Sequence, residues 1–360
     1  MAWKTSRKGG LFGRITARFF LATAAVLLVL SCLSMFANPA KSWPSAVMGL
    51  LFEPLALLNF ALLIWAILRR SRAVWIPVLA LIPSLFLFGR YLRLGYGHEQ
   101  AGEKDIKIVS YNVGRFMLAR NGVRDPSQCS DSVMAFLRTT DADIICLQEV
   151  YFKNTARVRS YFEENFPGYD VRYFVYPTDK GAYGNATLSR LKAVGKGKIE
   201  FDKSANMALY TDYKIDGRSF RIYNCHFQSY ALSLTRLVEL THKKYRREFQ
   251  EKFLHSVSMR PRQVDKVLED IDKCPTETFV AGDFNDSPVS YTYSRLIKGR
   301  GDTFTEAGHG FGATYSAFWP FIRIDYIMVP KIHGVVSHKV IKNIRLSDHY
   351  PVIAEISMSK

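Results

Sequence analysis

The chain has 360 residues and a formal net charge of +17, but the charge is unevenly spread. Residues 1–98 hold eleven Lys and Arg against a single acid, Glu53, and the remainder holds 38 basic and 31 acidic residues. A surplus of +7 beyond residue 98 suits anionic substrates or surfaces without demanding nucleic acid, and five cysteines with no zinc-ligand spacing exclude both a disulfide scaffold and a zinc site.

The first hundred residues read as a membrane anchor. Residues 19–40 carry no charge and are long enough to cross a hydrocarbon core about 30 Å thick. A second apolar stretch covers residues 47–68, interrupted only by Glu53 and Pro54, and a third covers residues 73–89 at the lower limit of spanning length. Two further hydrophobic stretches after the first argue against a cleaved signal peptide. Lys4, Arg7, Lys8, Arg14 and Arg18 precede the first span, and Arg69, Arg70 and Arg72 link the second to the third, whereas Lys41 alone lies between the first two. The positive-inside rule places the N-terminus and the Arg-rich link in the cytoplasm. Three crossings then make a multi-pass integral membrane protein with an extracytoplasmic catalytic domain, although Arg90 and Arg93 weigh against this. If the third stretch only lies in the interface, that domain is cytoplasmic. Glu53 falls near the outer end of its span, within reach of the headgroups.

Beyond a polar hinge, residues 99–360 form the second domain. Short runs rich in Val, Ile, Tyr and Phe predict strands over 106–112, 143–149, 171–176, 186–189, 207–213, 220–227, 278–283, 324–329 and 352–356. Helices are expected over 128–139, 234–255 and 262–272, the last starting after Pro261. Interleaved strands and helices predict an α/β fold of two packed sheets covered by helices. Cys146 and Cys225 fall inside strands as buried thiols; Cys129 and Cys274 pair only if the fold brings them together.

The strands end in polar residues. IKIVSYN closes on Asn112 and DIICLQE on Gln148 and Glu149; FRIYNCHFQS delivers His226 and Gln228. ETFVAGDFNDSP brings Asp283, Asn285 and Asp286, RIDYIMVP sets Asp325 inside a hydrophobic strand, and RLSDHYP presents Asp348 and His349. A buried carboxylate is costly unless it is paired or metal-bound, so six such strand ends predict one convergent site. Hard oxygen ligands favour Mg²⁺ or Mn²⁺. Bland roles are expected for Asp286 (the turn before Pro288) and Asn185 (a turn residue), and His242, His255, His309, His333 and His338 are expected to be solvated or structural. Gln148 stands evenly between a structural amide and a site residue.

In this order, SYN, QE, HxQS, GDFN, RIDYI and SDHYP resemble the endonuclease/exonuclease/phosphatase superfamily, from residue 106 to the C-terminus. The resemblance implies a four-layer sandwich of two mixed β-sheets between helices, and hydrolysis of phosphoester bonds. It further implies that Glu149 is the principal metal-binding carboxylate, with Asn112 beside it and Asp348 near the same site. Asp283 resembles the residue that orients or deprotonates the attacking water, and Asn285 the amide that holds it. His349, polarised by Asp325, resembles the histidine on the scissile phosphate, and His226 a donor to the leaving oxygen. The expected substrate is a lipid headgroup or other small phosphoester, with the bilayer as partner. A tethered nuclease acting on DNA or RNA is the alternative, and an inactive binding module a third. Basic Lys243, Lys244, Arg246 and Arg247 on a helix fit a solvated face or contact with an anionic surface.

Overall fold

The computed structural model describes residues 11–95, 105–116, 126–178, 181–230, 243–318 and 320–358. Its strands, in chain order, are β1 (Leu92–Arg93), β2 (Asp105–Asn112), β3 (Ile144–Phe152), β4 (Asp170–Thr178), β5 (Gly181–Ser189), β6 (Gly195–Glu200), β7 (Met207–Ile215), β8 (Arg218–His226), β9 (Glu277–Asp283), β10 (Arg300–Asp302), β11 (Gly310–Phe311), β12 (Asp325–Pro330), β13 (Gly334–Val340) and β14 (Val352–Ser357). Two six-stranded mixed sheets result, ordered β13-β14-β2-β3-β5-β4 and β10-β12-β9-β8-β7-β6, with β1 and β11 in a separate ribbon. The central pairs β2–β3 and β8–β9 are parallel, and the other pairings are antiparallel. Strands covered on both faces need no polar alternation, so their segments are continuous apolar runs.

Between the sheets, Ile108, Ile144 and Cys146 meet Ile222, Phe279 and Ile327. On one outer face Tyr111, Ile145 and Leu147 pack on Val133, Met134 and Leu137 of helix Pro126–Thr139 and on Phe162 of helix Val158–Asn165. On the other, Tyr223, Val280 and Met328 meet Val264 and Val267 of helix Lys243–Lys273 and Leu296 of helix Tyr291–Leu296. Each such apolar side chain contributes about 1.5–3 kcal/mol. The layers are helix, sheet, sheet, helix, as the resemblance implies.

Several expectations are corrected. Strands β6 and β13 were absent from the periodicity: β6 alternates Gly and Lys at a half-exposed sheet edge, and β13 is bulged between Val335 and Ser337. The helix expected to start after Pro261 is continuous with the preceding one, Lys243–Lys273, and Pro261 lies inside it; the expected residues 234–242, with His242, fall outside the described residues. Asp325 opens β12 rather than sitting within it. Asn185 is no turn residue but a buried amide in β5 that donates to the Asn224 carbonyl at 3.3 Å. His333 and His338 do take the structural role expected of them, buried on Glu277 and Thr303. None of the five cysteines forms a disulfide, so Cys129 and Cys274 are not paired with each other.

The N-terminal helices are α1 (Leu11–Leu33), α2 (Trp43–Leu50), α3 (Phe52–Leu68) and α4 (Trp75–Phe88). The first expected span is displaced: helix runs from residue 11, through Arg14 and Arg18, and stops before Pro39, whose predecessor is steered away from helical geometry. The second breaks into α2 and α3, bent by 56° at Leu51. Pro54 explains the break, because its ring would clash with a carbonyl one turn earlier in a continuous helix yet fits the first turn of a new one. The third expected span is a helix of 14 residues. Among the described residues, one helix, Phe12–Phe36, is long and apolar enough to cross a membrane, or two segments if α2 and α3 count as one span. Buried Leu28, Cys32, Phe52, Leu55, Ala80 and Leu87 pack these helices together, and Asn59 of α3 donates to the Ala24 carbonyl of α1 at 2.9 Å.

Candidate active site

The parallel pairs β2–β3 and β8–β9 end at the same edge of the sandwich, and their last residues carry the polar groups. Asn112 closes β2, His226 closes β8 and Asp283 closes β9, with His226 and Asp283 in register. The β9–β12 ladder sets Asp325 opposite Asp283. His349 reaches the group from the loop before β14, bridged to Tyr315.

Glu149 gets there by a distortion. The β3–β5 register jumps from Leu147↔Ala186 to Val150↔Gly184, one residue more on β3 than on its partner. Glu149 takes up the bulge at φ +55, a conformation that a non-glycine residue adopts only when its surroundings impose it. The bulge re-aims the carboxylate, and buried Gln148 fills the space behind it by donating to Asn224 Oδ1 at 2.8 Å. Gln148 is thus a structural amide.

Asp283 is buried and accepts from Asn112 Nδ2 at 2.9 Å, from the Asn285 amide at 2.8 Å and from Asn285 Nδ2 at 3.0 Å. Burial pushes its carboxyl up to about 6, against the lowering pull of His349. His349 Nδ1 lies 2.9 Å from Asp325 Oδ2, and its Nε2 lies 3.8 Å from Asp283. Burial alone would depress this imidazole, but Asp325 and Asp283 together hold it well above the usual histidine range. His349 is therefore a cation fixed by Asp325. His226 behaves oppositely: burial pulls it down to about 4, so it is neutral at pH 7. Its Nε2 faces Glu149 at 3.5 Å and Asp283 at 3.7 Å, and Nδ1 lies 3.2 Å from the Tyr183 hydroxyl. Carboxylates only accept, so these partners assign the hydrogen to Nε2 and leave Nδ1 to accept from Tyr183.

Glu149 has no short partner: Asn112 Nδ2 lies at 3.4 Å, His226 Nε2 at 3.5 Å and Arg115 Nε at 3.6 Å. Its carboxyl is raised by burial, with His349 lowering it and Asp348 raising it. Such a hard, under-coordinated carboxylate, with an amide and a second carboxylate beside it, fits a divalent cation. Among the described residues the tightest group of ligand atoms is a different one, Asp283, Asp325 and His349, all within 4.8 Å of one another. There, however, Nδ1 of His349 already bonds Asp325, so that trio is better suited to moving a proton.

Two site residues escaped the sequence reading. Arg115 adopts φ +59, faces Glu149, and stacks its guanidinium 4.9 Å from the Tyr183 ring. Its position in YNVGRF, three residues after Asn112, was the available signal. Tyr183 in AYGNATLSR had none, because a tyrosine in a strand is ordinarily core. Gln228 lies off the cluster, its backbone held by Gln263 and Arg260. Asp286 is more than a turn residue, since it forms a buried ion pair with Arg260 at 3.0 Å.

A buried carboxylate held by two amides, a cationic imidazole clamped by a second carboxylate, and an under-coordinated glutamate on a four-layer sandwich are groups that suit the hydrolysis of a phosphoester. Residues 109–349 match the family model described as Endonuclease/Exonuclease/phosphatase family, and the chain belongs to that family, whose members hydrolyse phosphoesters. Residues 14–91 match a second model, described as Domain of unknown function (DUF8431). The chain is 27% identical over 282 residues to the Escherichia coli K12 protein YbhP, described as uncharacterized, covering 72% of this chain and 99% of YbhP. Among solved structures it is similar to the human Nocturnin catalytic domain with bound sulfate anion, with TM-score 0.53, 18% identity, and coverage of 72% of this chain and 96% of that one. A mannosyl-6-phosphatase of Bacteroides thetaiotaomicron VPI-5482 is also similar, with TM-score 0.51, 20% identity, and coverage of 70% and 99%. At these identities the two structures speak for the fold.

Proposed function

We propose that the protein is a membrane-anchored, Mg²⁺- or Mn²⁺-dependent hydrolase of phosphoester bonds acting on lipid headgroups or other small phosphoesters. The observation that carries the chemistry is the pairing of buried Asp283 with His349, whose Nε2 lies 3.8 Å from it and whose Nδ1 is held by Asp325, so that His349 is raised well above the usual histidine range. Asp283 holds the attacking water and accepts its proton, and Asn285 fixes the carboxylate through two hydrogen bonds. His349, oriented by Asp325, holds the phosphoryl oxygens as charge develops on them. Neutral His226 donates a hydrogen bond from Nε2 to the leaving oxygen, without giving up the proton, and is oriented by Tyr183. Glu149, Asn112 and Asp348 would hold the cation, which supplies charge neutralisation at the phosphate when bound. Arg115, more than half exposed beside Glu149, can pair with a substrate oxygen.

Residues 1–98 serve as the anchor and residues 99–360 as the catalytic domain. Among the described residues, the large apolar side chains that stand exposed all belong to residues 12–94 except Val194, Phe311, Phe321 and Ile332, a concentration of exposed apolar surface that marks an interaction site. The end of α1, the end of α2 and the end of α4 meet the sandwich, while Arg14, Arg18, Arg69, Arg70 and Arg72 fall at the far ends of α1, α3 and α4. That arrangement supports a multi-pass anchor with basic ends in the cytoplasm and an extracytoplasmic catalytic domain.

The test is a substrate panel. Full-length protein with Mg²⁺ is offered phospholipid vesicles, small phosphomonoesters and phosphodiesters, DNA and RNA. Release of a phosphorylated or dephosphorylated headgroup supports the lipid reading; cleavage of nucleic acid with lipids untouched replaces it with the tethered nuclease.

A further inference from the structure

Directly after Asp283 and Asn285 the chain passes through Asp286, Ser287, Pro288 and Val289 into helix Tyr291–Leu296. This segment is where the N-terminal helices touch the sandwich. Ser34 Oγ donates to the Val289 carbonyl at 3.2 Å, and Ser287 Oγ donates to the Gly49 carbonyl at 3.2 Å. Arg90 Nη1 donates to the Pro288 carbonyl at 2.8 Å, and Ser294 Oγ donates to the Met35 carbonyl at 2.7 Å. Val289 itself is fully buried in the apolar cluster that joins the helices, among Leu28, Met35, Phe52 and Leu87.

The other side of the same segment is held by the sandwich. Arg260 pairs with Asp286, and the Tyr326 hydroxyl donates to the Asp286 carbonyl at 2.8 Å. Asn285 immediately precedes both grips, its side chain donating to the Phe227 carbonyl at 2.9 Å, with φ +53, a left-handed conformation that non-glycine residues keep only when neighbours enforce it. Gly49 shows how closely the helices approach: a Cβ there would stand 2.9 Å from the Val289 carbonyl oxygen and 3.1 Å from Ser34 Oγ. A passive tether needs only a flexible linker and none of these contacts.

We propose that the N-terminal helical unit is part of the active-site scaffold: by gripping residues 287–289 against the Asp286 anchor of the sandwich it sets the position of Asn285, and through Asn285 that of Asp283, so that turnover requires the helices to be docked. Gly49, Ser34 and Arg90 are positioning residues in this arrangement. The inference rests on the functional reading above for the roles of Asp283 and Asn285. It adds that the anchor shapes the catalytic loop as well as delivering the site to the bilayer.

The test uses the full chain in lipid nanodiscs, with Mg²⁺ and bis(4-nitrophenyl) phosphate as the probe. Gly49→Ala favours the helix locally but drives a methyl into the Val289 carbonyl. It is expected to lower kcat by about tenfold or more through misplacement of the catalytic loop, with KM changed by less than about twofold, and to speed amide hydrogen exchange over residues 284–290. Phe86→Ala, on an α4 side chain 83% exposed and away from the loop, is expected to change neither. Wild-type kcat in Gly49→Ala, or an equal loss in Phe86→Ala, overturns the inference. If Gly49→Ala does not accumulate folded, Ser287→Ala removes one of the grips; faster exchange over 284–290 with reduced kcat supports the inference, and wild-type behaviour overturns it. A wild type that leaves the probe intact contradicts the functional reading, and the exchange comparison then decides the docking by itself.

Discussion

Asp283 and Asp325 are register partners across the β9–β12 ladder, both about 1% exposed, and His349 lies between them. Two buried carboxylates this close would repel; the imidazolium resolves the conflict and becomes a fixed positive charge where a phosphoryl group would sit.

That relationship predicts a trade of stability for function at Asp283. Its carboxyl is raised by burial, so it contributes stability that is fully present below the unfolded carboxylate value and lost as pH rises through about 6. In metal-free protein, wild-type unfolding stability is therefore expected to fall as pH rises towards about 6 in a way that Asp283→Asn, which also loses turnover, does not show. Thermal melts of the two proteins with EDTA across this pH range check this; the same fall in the variant contradicts the burial argument.

The pH profile should follow the two opposed shifts. Asp283 works ionised, so kcat/KM rises with pH through about 6. His349 works protonated and is held well above its usual range, so the decline comes only at alkaline pH. His226, already neutral above about 4, contributes no limb in this window. A rate profile measured in full-length protein with a small phosphodiester tests the order of these limbs. A decline between pH 6 and 7 would show that His349 is not the charged histidine.

Breaking the clamp should be costly in a characteristic way. Asp325→Ala leaves a buried imidazolium without its partner, which costs about 3–5 kcal/mol of stability. The alkaline limb should also move to lower pH, because the carboxylate that raises His349 is gone. Denaturant melts combined with the pH profile separate this from a simple packing defect, which would leave the limb in place.

Much of this was legible in the sequence, and the failures have physical causes. The strands ending in Asn112, His226 and Asp283 announced themselves because doubly covered strands are continuous apolar runs with a polar stop. The bulge at Glu149 was invisible, since it depends on pairing with β5 rather than on any local signal. Arg115 and Tyr183 were missed because their meaning comes from stacking on each other. Asn185 was misjudged because an amide beside glycine reads as a turn until a partner such as the Asn224 carbonyl is in place. Among the N-terminal helices, counting uncharged residues set the first expected span too late, because α1 carries Arg14 and Arg18 within the helix.

Metal dependence should localise to the bulge. Glu149→Gln retains the shape but loses the charge that the raised, poorly partnered carboxylate offers a cation. Calorimetric titration with Mn²⁺ is expected to show binding weakened by about tenfold or more for this variant. Unchanged affinity would move the cation to another group, with Asp283, Asp325 and His349 the next candidate.

The most direct measurement is single-turnover hydrolysis of a phosphodiester by full-length protein carrying Asp283→Ala or His349→Ala, with circular dichroism confirming that both remain folded. Each variant is expected to lose about a hundredfold or more in rate, as removal of a general base or of a charge-stabilising group does. Near-normal rates in either folded variant would contradict the assignment of this buried carboxylate–imidazole pair as the hydrolytic centre.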